Sequence, residues 1–521
     1  MIEGTRRRTR GVVAAGDRQT ARAGAFALEQ GGNAVDAAVA AACAAFVCEL
    51  PLAGPLGGGV MVARADHGDP VALDFFARVP GLGGQRPAHL DFAHVEVDFG
   101  AATQVFHVGR AAAAVPLALP GLLEAHRRFG ALPLDVVVAP AVELGRGGYT
   151  LGAGVAFVFR LLEPIHRWSP ACWALVSDAS GQLAAAGSRL DNPQMAGVLA
   201  DVAARPARVF DLYAELVAHF GPSAGGLITA ADVGRLEVPQ RRPVEVAHRG
   251  WRLATMPAPS SGGALVALGL RLLADVDRHP FGSAGHYAAL VRVQHILLGV
   301  RGPSFDLDVR EPGFVEALLA DERVAALAAS APVAHPDHPL GSTTHISALD
   351  EHGGAVAVTL TNGEGCGHVL PGTGIQVNNL LGEEDINPRG FHVDPPGMAM
   401  GTMMAPTLGL GPRGETLALG SGGSNRLRNA ILATLSHLLS HGVEARDAVR
   451  APRVHAEGGR VCFELADLAP DARALLSGLP GAAAFAERNM YFGGVHTATH
   501  LHGDFGGAGD PRRGGHVETV S

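Results

Sequence analysis

Thr343 is the residue of this chain best suited to act as a nucleophile, within the segment Leu340-Gly341-Ser342-Thr343-Thr344-His345-Ile346-Ser347-Ala348-Leu349-Asp350. A threonine hydroxyl inside a chain is a poor nucleophile. One at a new N-terminus is better, because its α-amine, with a reference pKa of about 8, can act as the base. A cut between Ser342 and Thr343 would create that terminus. On its own, Thr343-Thr344-His345 reads equally as the opening of a buried strand. The run Gly420-Ser421-Gly422-Gly423-Ser424-Asn425-Arg426 lies between a strand signal and a helix signal. Free backbone N–H groups there would suit an oxyanion hole or an anion, and the plain reading is a tight strand-to-helix turn. Glu383-Glu384-Asp385 is an acidic run, either a solvated face or a seat for a substrate ammonium. His496, His500 and His502, with Asp504, resemble metal ligands, but their flanking glycines read as a loop and no metal is assigned. Gly409 to Gly414 matches GxGxxG in letters only, because it links two strands and opens no helix. Lone histidines such as His166 and His286 read as structural.

Positioning these groups requires particular elements. Residues 331–341, rich in proline and histidine, read as an exposed linker. After it, Thr344–Leu349 and Ala355–Thr361 are β-favouring runs joined around Glu351-His352-Gly353, a hairpin pattern. A turn centred on His352 pairs residues whose numbers sum to 704. Thr343 then faces Thr361 on one side of the hairpin, with Cβ atoms roughly 5 Å apart. A slip of one residue would remove the pairing. Strands are expected at Thr407–Leu410 and Thr416–Leu419, with a helix from Asn425 to about Leu439. In the first half, helices are expected over Asp17–Gln30, from an Asn33 cap to Cys48, and over Leu117–Phe129, Leu134–Gly145 and Gly263–Asp277. Strands are expected at Val60–Ala63, Val71–Phe75, Val244–Val246 and Trp251–Thr255.

Composition narrows the chemistry. The 521 residues are 47% hydrophobic and 17% charged, which suits a large globular protein. The net charge is −9 and lysine is absent, so every basic side chain apart from histidine is arginine. That excludes a lysine Schiff base and a P-loop lysine, and the acidic balance argues against nucleic acid. The five cysteines form no CxxC pair, so no disulfide framework is expected. The arginine-rich start has no apolar run behind it, and the apolar stretch between Asp36 and Glu49 is too short to span a bilayer. The expectation is a cytoplasmic protein with no signal peptide, no membrane partner and no cofactor.

Taken together the motifs resemble the gamma-glutamyltransferase family of N-terminal-nucleophile hydrolases over nearly the whole chain. The match runs through Gln30-Gly31-Gly32-Asn33-Ala34-Val35-Asp36, Gly57-Gly58-Gly59, Ala72-Leu73-Asp74-Phe75 and Ala139-Pro140-Ala141-Val142. It continues through Gly226-Leu227-Ile228-Thr229 and Met256-Pro257-Ala258-Pro259-Ser260-Ser261-Gly262-Gly263. Thr343-Thr344-His345, Pro371-Gly372-Thr373-Gly374-Ile375, Asn378-Asn379 and the Gly-Ser-Gly-Gly run complete it. The resemblance implies an α+β fold, a four-layer αββα sandwich of two stacked antiparallel sheets flanked by helices. It implies one precursor that cuts itself into residues 1–342 and 343–521, intertwined in one unit. Thr343 is then nucleophile and, through its amine, base. Thr361 is the second threonine that hydrogen-bonds it, Gly423 and Ser424 supply the oxyanion hole, and Asn362 binds substrate.

The departures concern the acyl group. Where the family carries an arginine for the glutamyl α-carboxylate, this chain has Phe76. A phenyl ring replaces a bidentate charge-assisted contact with apolar surface. Arg78, on the same face if this segment is a strand, is the candidate replacement. The family's paired serines align with Thr402 and Met403, and Glu383 remains to hold a substrate amine. The expected activity is an amidohydrolase or acyltransferase acting on a small-molecule amide, with a less polar acyl group than gamma-glutamyl. A conventional gamma-glutamyltransferase (glutathione hydrolase) and an unprocessed, inactive binding homologue are the alternatives.

Overall fold

Two antiparallel sheets form the body of the computed structural model, which describes residues 7–98, 103–234, 236–302, 304–330 and 343–521. The expected linker at 331–341 and Ser342 lie outside the described residues. In chain order the elements that frame the site are β1 (Gly11–Ala15), α1 (Arg18–Glu29), α2 (Ala34–Cys48), β2 (Gly58–Arg64), β3 (Val71–Phe75), β4 (Gln240–Arg241), β5 (Val244–His248), β6 (Trp251–Thr255), α3 (Ser261–Leu272), α4 (Ala284–Val300), β7 (Thr344–Asp350), β8 (Ala355–Thr361), β9 (Thr407–Leu410), β10 (Thr416–Gly422), α5 (Arg426–Leu435), β11 (Gly494–Leu501), β12 (Asp504–Ala508) and β13 (His516–Val520). The seven-stranded sheet runs β4-β3-β2-β8-β7-β1-β13 and the six-stranded sheet β5-β6-β9-β10-β11-β12. Strands from before and after residue 343 contribute to both.

The helices begin where their caps dictate. Asp17 accepts from Gln19 N–H at the start of α1. Asn33 and Asp36 form a capping box at α2, whose fifteen residues are all buried. An alanine-rich helix can be apolar on every side only in the interior, and α2 packs against the seven-stranded sheet, against α1 and against the helix Leu134–Gly147.

Strand parity sorts the core. On β2, Met61 and Ala63 join the cluster packed against α1 and α2, while Val60 and Val62 face the second sheet and its helices. The same alternation runs along β8, where Val356 and Val358 face the helices and Ala355 and Ala357 the other sheet. The small side chains let the sheets approach: β7 and β8 pack against β10, and a methyl group on Gly420 would lie 2.4 Å from the His345 ring. Helices α3 and α5 pack on the second sheet from its other side.

The hairpin register matches expectation. Thr344 pairs with Leu360 and His345 with Thr359, both sums being 704, and β8 spans Ala355–Thr361 as read from the sequence. Two expectations need correction. The helix after the glycine run leaves α-geometry at Leu435 and continues as a π-turn over Ser436–Ser440. The histidine segment near 496 is not a loop but strand β11, so ladder pairing with β10 outweighs its flanking glycines.

Candidate active site

Parity places Thr343 on the side of β7 that faces the second sheet, with His345 and Ser347, and Thr361 on the same side of β8. Both threonines are buried and line one small cleft. The glycine run Gly57-Gly58-Gly59 allows this edge to close. A methyl group on Gly57 would lie 2.3 Å from the Thr361 carbonyl oxygen, and one on Gly58 2.1 Å from that of Phe76. From the second sheet, β10 ends at Gly422 and the chain turns into α5 through Gly423 (φ 121°) and Ser424 (φ 48°). A methyl group on Gly422 would lie 2.1 Å from the Thr343 carbonyl oxygen, so the turn rests directly on the Thr343 backbone.

Buried charge fixes Thr343 from behind. Arg513 donates Nη1–H to the Thr343 carbonyl at 3.2 Å. Burial lowers the Arg513 pKa to about 10, and the neighbouring Asp510 carboxylate favours its charged form. Asp510 also accepts from Arg453 at 2.5 Å, from Arg512 and from Val495 N–H, tying β11 to the chain's end. On the opposite side of β7, Thr344 donates to Glu49 at 2.6 Å, and Thr20 donates to the other carboxylate oxygen at 2.5 Å. Burial, reinforced by the charge of Asp17, pushes Glu49 up to about 7.

The remaining walls decide what fits. Phe76, Leu380, Met403, Met404 and Leu427 make much of the lining apolar. Thr402 lines the cleft, and its carbonyl oxygen accepts from Ser260 Oγ at 3.3 Å and from Gly262 N–H at 3.1 Å. The Pro-Ser-Ser-Gly-Gly motif therefore supports this wall of the cleft. Glu383 is in the lining, and burial, with the nearby Glu364 and Asp385 carboxylates, pushes its pKa well above the ordinary range. Two expected residues are elsewhere. Arg78 sits with Asp74 (3.8 Å) and is absent from the cleft lining, so it does not take the place of the missing arginine at Phe76. Asn362 is fully buried beneath the cleft, against Gly54 and Gly57, with its Nδ2 directed to the Gln376 carbonyl at 3.4 Å.

Sequence reasoning passed over Asp385, Arg301, Arg513 and Glu49. Asp385 accepts from Ser424 Oγ at 2.8 Å, Asn425 Nδ2 at 3.0 Å and Arg301 Nη2 at 3.2 Å, which anchors the Gly-Gly-Ser turn. Its only signal was its place in the acidic run. Among the described residues no cluster of three or more His, Cys, Asp or Glu side chains is arranged to hold a metal ion. His496 accepts from Asp510 N–H and His500 stacks on Phe505. His166 is buried, which depresses its pKa to about 3. No helix among the described residues is long and apolar enough to cross a membrane.

The gamma-glutamyltranspeptidase family model matches residues 20–520. The chain is 30% identical over 503 residues to the Acylase ACY 1 proenzyme of Pseudomonas sp. (strain SE83), covering 89% of this chain and 85% of the relative. It is 29% identical over 490 residues to the glutathione hydrolase proenzyme of Escherichia coli (strain K12), covering 86% and 81% respectively. Its fold is similar to the crystal structure of cephalosporin acylase from Bacillus halodurans, with a TM-score of 0.79 and 22% identity, covering 98% of this chain and 96% of that one.

Proposed function

The chain belongs to the gamma-glutamyltranspeptidase family of amide hydrolases, and from that premise we propose that it is a self-processing amidohydrolase or acyltransferase with altered acyl specificity. The observation that carries this reading is the convergence of Thr343, Thr361 and the Gly422–Ser424 turn on one cleft whose wall, at the arginine position, is Phe76. The proenzyme names of the relatives support self-cleavage between Ser342 and Thr343, giving subunits 1–342 and 343–521 in one intertwined four-layer αββα unit.

In the reaction, the Thr343 amine takes the proton from its own hydroxyl as Oγ attacks the amide carbonyl. Backbone N–H groups of Gly423 and Ser424 stabilise the oxyanion, and Thr361 holds the nucleophile by a hydrogen bond. The C–N bond breaks, the leaving amine takes the proton, and the acyl ester passes to water or to another amine. An acyl chain with an apolar stem suits Phe76, Leu380 and Met403 better than a gamma-glutamyl group does. The Glu383 carboxyl is the seat for a substrate amine.

Denaturing electrophoresis tests self-processing: two fragments are expected from the wild type and one band from Thr343→Ala. A single band from folded wild-type protein refutes it, and favours the inactive binding homologue. A gamma-glutamyl anilide tests specificity, since turnover at the level of a conventional glutathione hydrolase would refute altered acyl recognition.

A further inference from the structure

Thr343 lies one residue outside β7, whose first ladder pair with β8 joins Thr344 to Leu360. On the self-processing reading it becomes a chain end, and chain ends fray unless they are tied down. Arg513 holds its carbonyl oxygen, and a second anchor acts on the next residue. On the side of β7 away from the cleft, Thr344 Oγ1–H donates to Glu49 Oε2 at 2.6 Å. Thr20 Oγ1–H donates to Glu49 Oε1 at 2.5 Å, so both oxygens of this fully buried carboxylate are engaged by threonine hydroxyls. A methyl group on Gly16 would lie 2.6 Å from Glu49 Oε2 and 2.7 Å from Thr344 Oγ1. Backbone just past β1 therefore closes over the pair.

A hydroxyl donating to a carboxylate at this distance makes a charge-assisted bond, roughly twice as strong as one between neutral groups. The low dielectric that makes the buried charge costly also strengthens its bonds. Burial and the charge of Asp17 raise the Glu49 pKa to about 7, while the Arg513 guanidinium favours the ionised form. Burial also raises Asp17, and it raises the Cys48 thiol and the Tyr149 phenol, so those two stay neutral. Protonated, Glu49 has one O–H that must donate to one of the threonines. That threonine turns its own proton elsewhere, and the bond that remains to the other is between neutral groups.

We propose that Glu49 is a positioning residue for Thr343: its carboxylate pins Thr344 from behind β7 and so fixes the terminal hydroxyl and amine for attack. Glu49 is absent from the cleft lining, so it acts through Thr344 and not on the substrate. The inference rests on the amidohydrolase reading above. Activity then follows the charge of Glu49 and is greater when it is ionised.

The test uses processed protein and a hydrolysed acyl anilide, with kcat and KM measured from about pH 5.5 to about pH 8.5. Glu49→Gln keeps the shape and cannot ionise. At the upper end it should lower kcat by about tenfold and leave KM within about twofold, the scale of a charge-assisted bond replaced by a neutral one. At the lower end, where wild-type Glu49 is itself neutral, the two proteins should converge. The Thr343 amine titrates in both and cancels in their ratio. Thr344→Val removes the hydroxyl at nearly constant volume and should lose activity likewise, Thr344→Ser should restore it, and Glu49→Gln should add no further loss to Thr344→Val. A role in stability alone lowers the melting temperature and leaves the kcat ratio near one at every pH, which overturns the proposal. A loss of the same size at every pH overturns it too, as do losses that multiply in the double variant. If Glu49→Gln does not fold, the Thr344 variants decide, and equal activity of Thr344→Val and Thr344→Ser overturns it. Processed wild type that hydrolyses no acyl anilide overturns the amidohydrolase reading and this proposal with it.

Discussion

Gly422→Ala is the sharpest probe of how Thr343 is held. Gly422 ends β10 in ordinary extended backbone, so the added methyl group costs nothing in backbone conformation and acts only through space. It would lie 2.1 Å from the Thr343 carbonyl oxygen, whereas real Cβ contacts essentially never fall below 3.0 Å, so one of the two must move by about 0.9 Å. The carbonyl is also held by Arg513 Nη1, and the turn by Asp385 through Ser424 and Asn425, so neither side yields freely. A misplacement of about 1 Å in a reacting group costs on the order of 100-fold in rate. We expect kcat/KM on a hydrolysed anilide to fall by roughly that factor in the processed fraction of the variant, with a lower melting temperature. Gly197→Ala is the control. A methyl group there meets nothing within 4 Å on an α-helix, so activity and processing should be unchanged. Activity of Gly422→Ala within threefold of wild type would refute the claim that the glycine turn positions Thr343.

Two further outcomes follow from the buried groups. Phe76→Arg should raise gamma-glutamyl anilide turnover by about 10- to 100-fold in kcat/KM, the value of a charge-assisted contact to the α-carboxylate, and no gain would refute the account of specificity. Glu49 is shifted from its ordinary 4.5 up to about 7, so the folded state binds more protons than the unfolded chain between those pH values. Stability should therefore fall as pH rises from about 4.5 to 7 and level off above, a loss of about 3 kcal/mol at 1.36 kcal/mol per unit. Glu49→Gln should remove that component from the pH dependence of the melting temperature, and a variant profile parallel to wild type would refute it.

The parts of the site that could be read from the sequence are those fixed by local rules. Period-two alternation and a short turn set the β7–β8 register, and that alone brought Thr343 opposite Thr361. The glycine run announced a strand-to-helix turn, which is what it makes. The alanine-rich helix with its Asn33 cap was equally local. Glu49 and Arg513 were not legible, because Glu49 meets Thr344 from 295 positions away and Arg513 meets Thr343 from 170. No period or spacing encodes that. Arg78 failed for a related reason: two residues on is the same face only while the strand continues, and β3 ends at Phe75.

The division has a chemical logic. Thr343, Thr361 and the glycine turn lie at three strand ends, where register is set by the ladder and a one-residue error reverses every side chain. The cleft wall is assembled from segments far apart in the chain: Phe76 after β3, Leu380 in a 3-10 turn, Glu383 in the extended link to the next such turn, and Thr402 and Met403 in a loop held by Ser260. Such segments can exchange an arginine for a phenylalanine without moving the hairpin, because no ladder bond depends on the side chain. Specificity in this chain can therefore change by single residues around a fixed Thr343. Phe76 is the position in the cleft lining at which such a change is most direct.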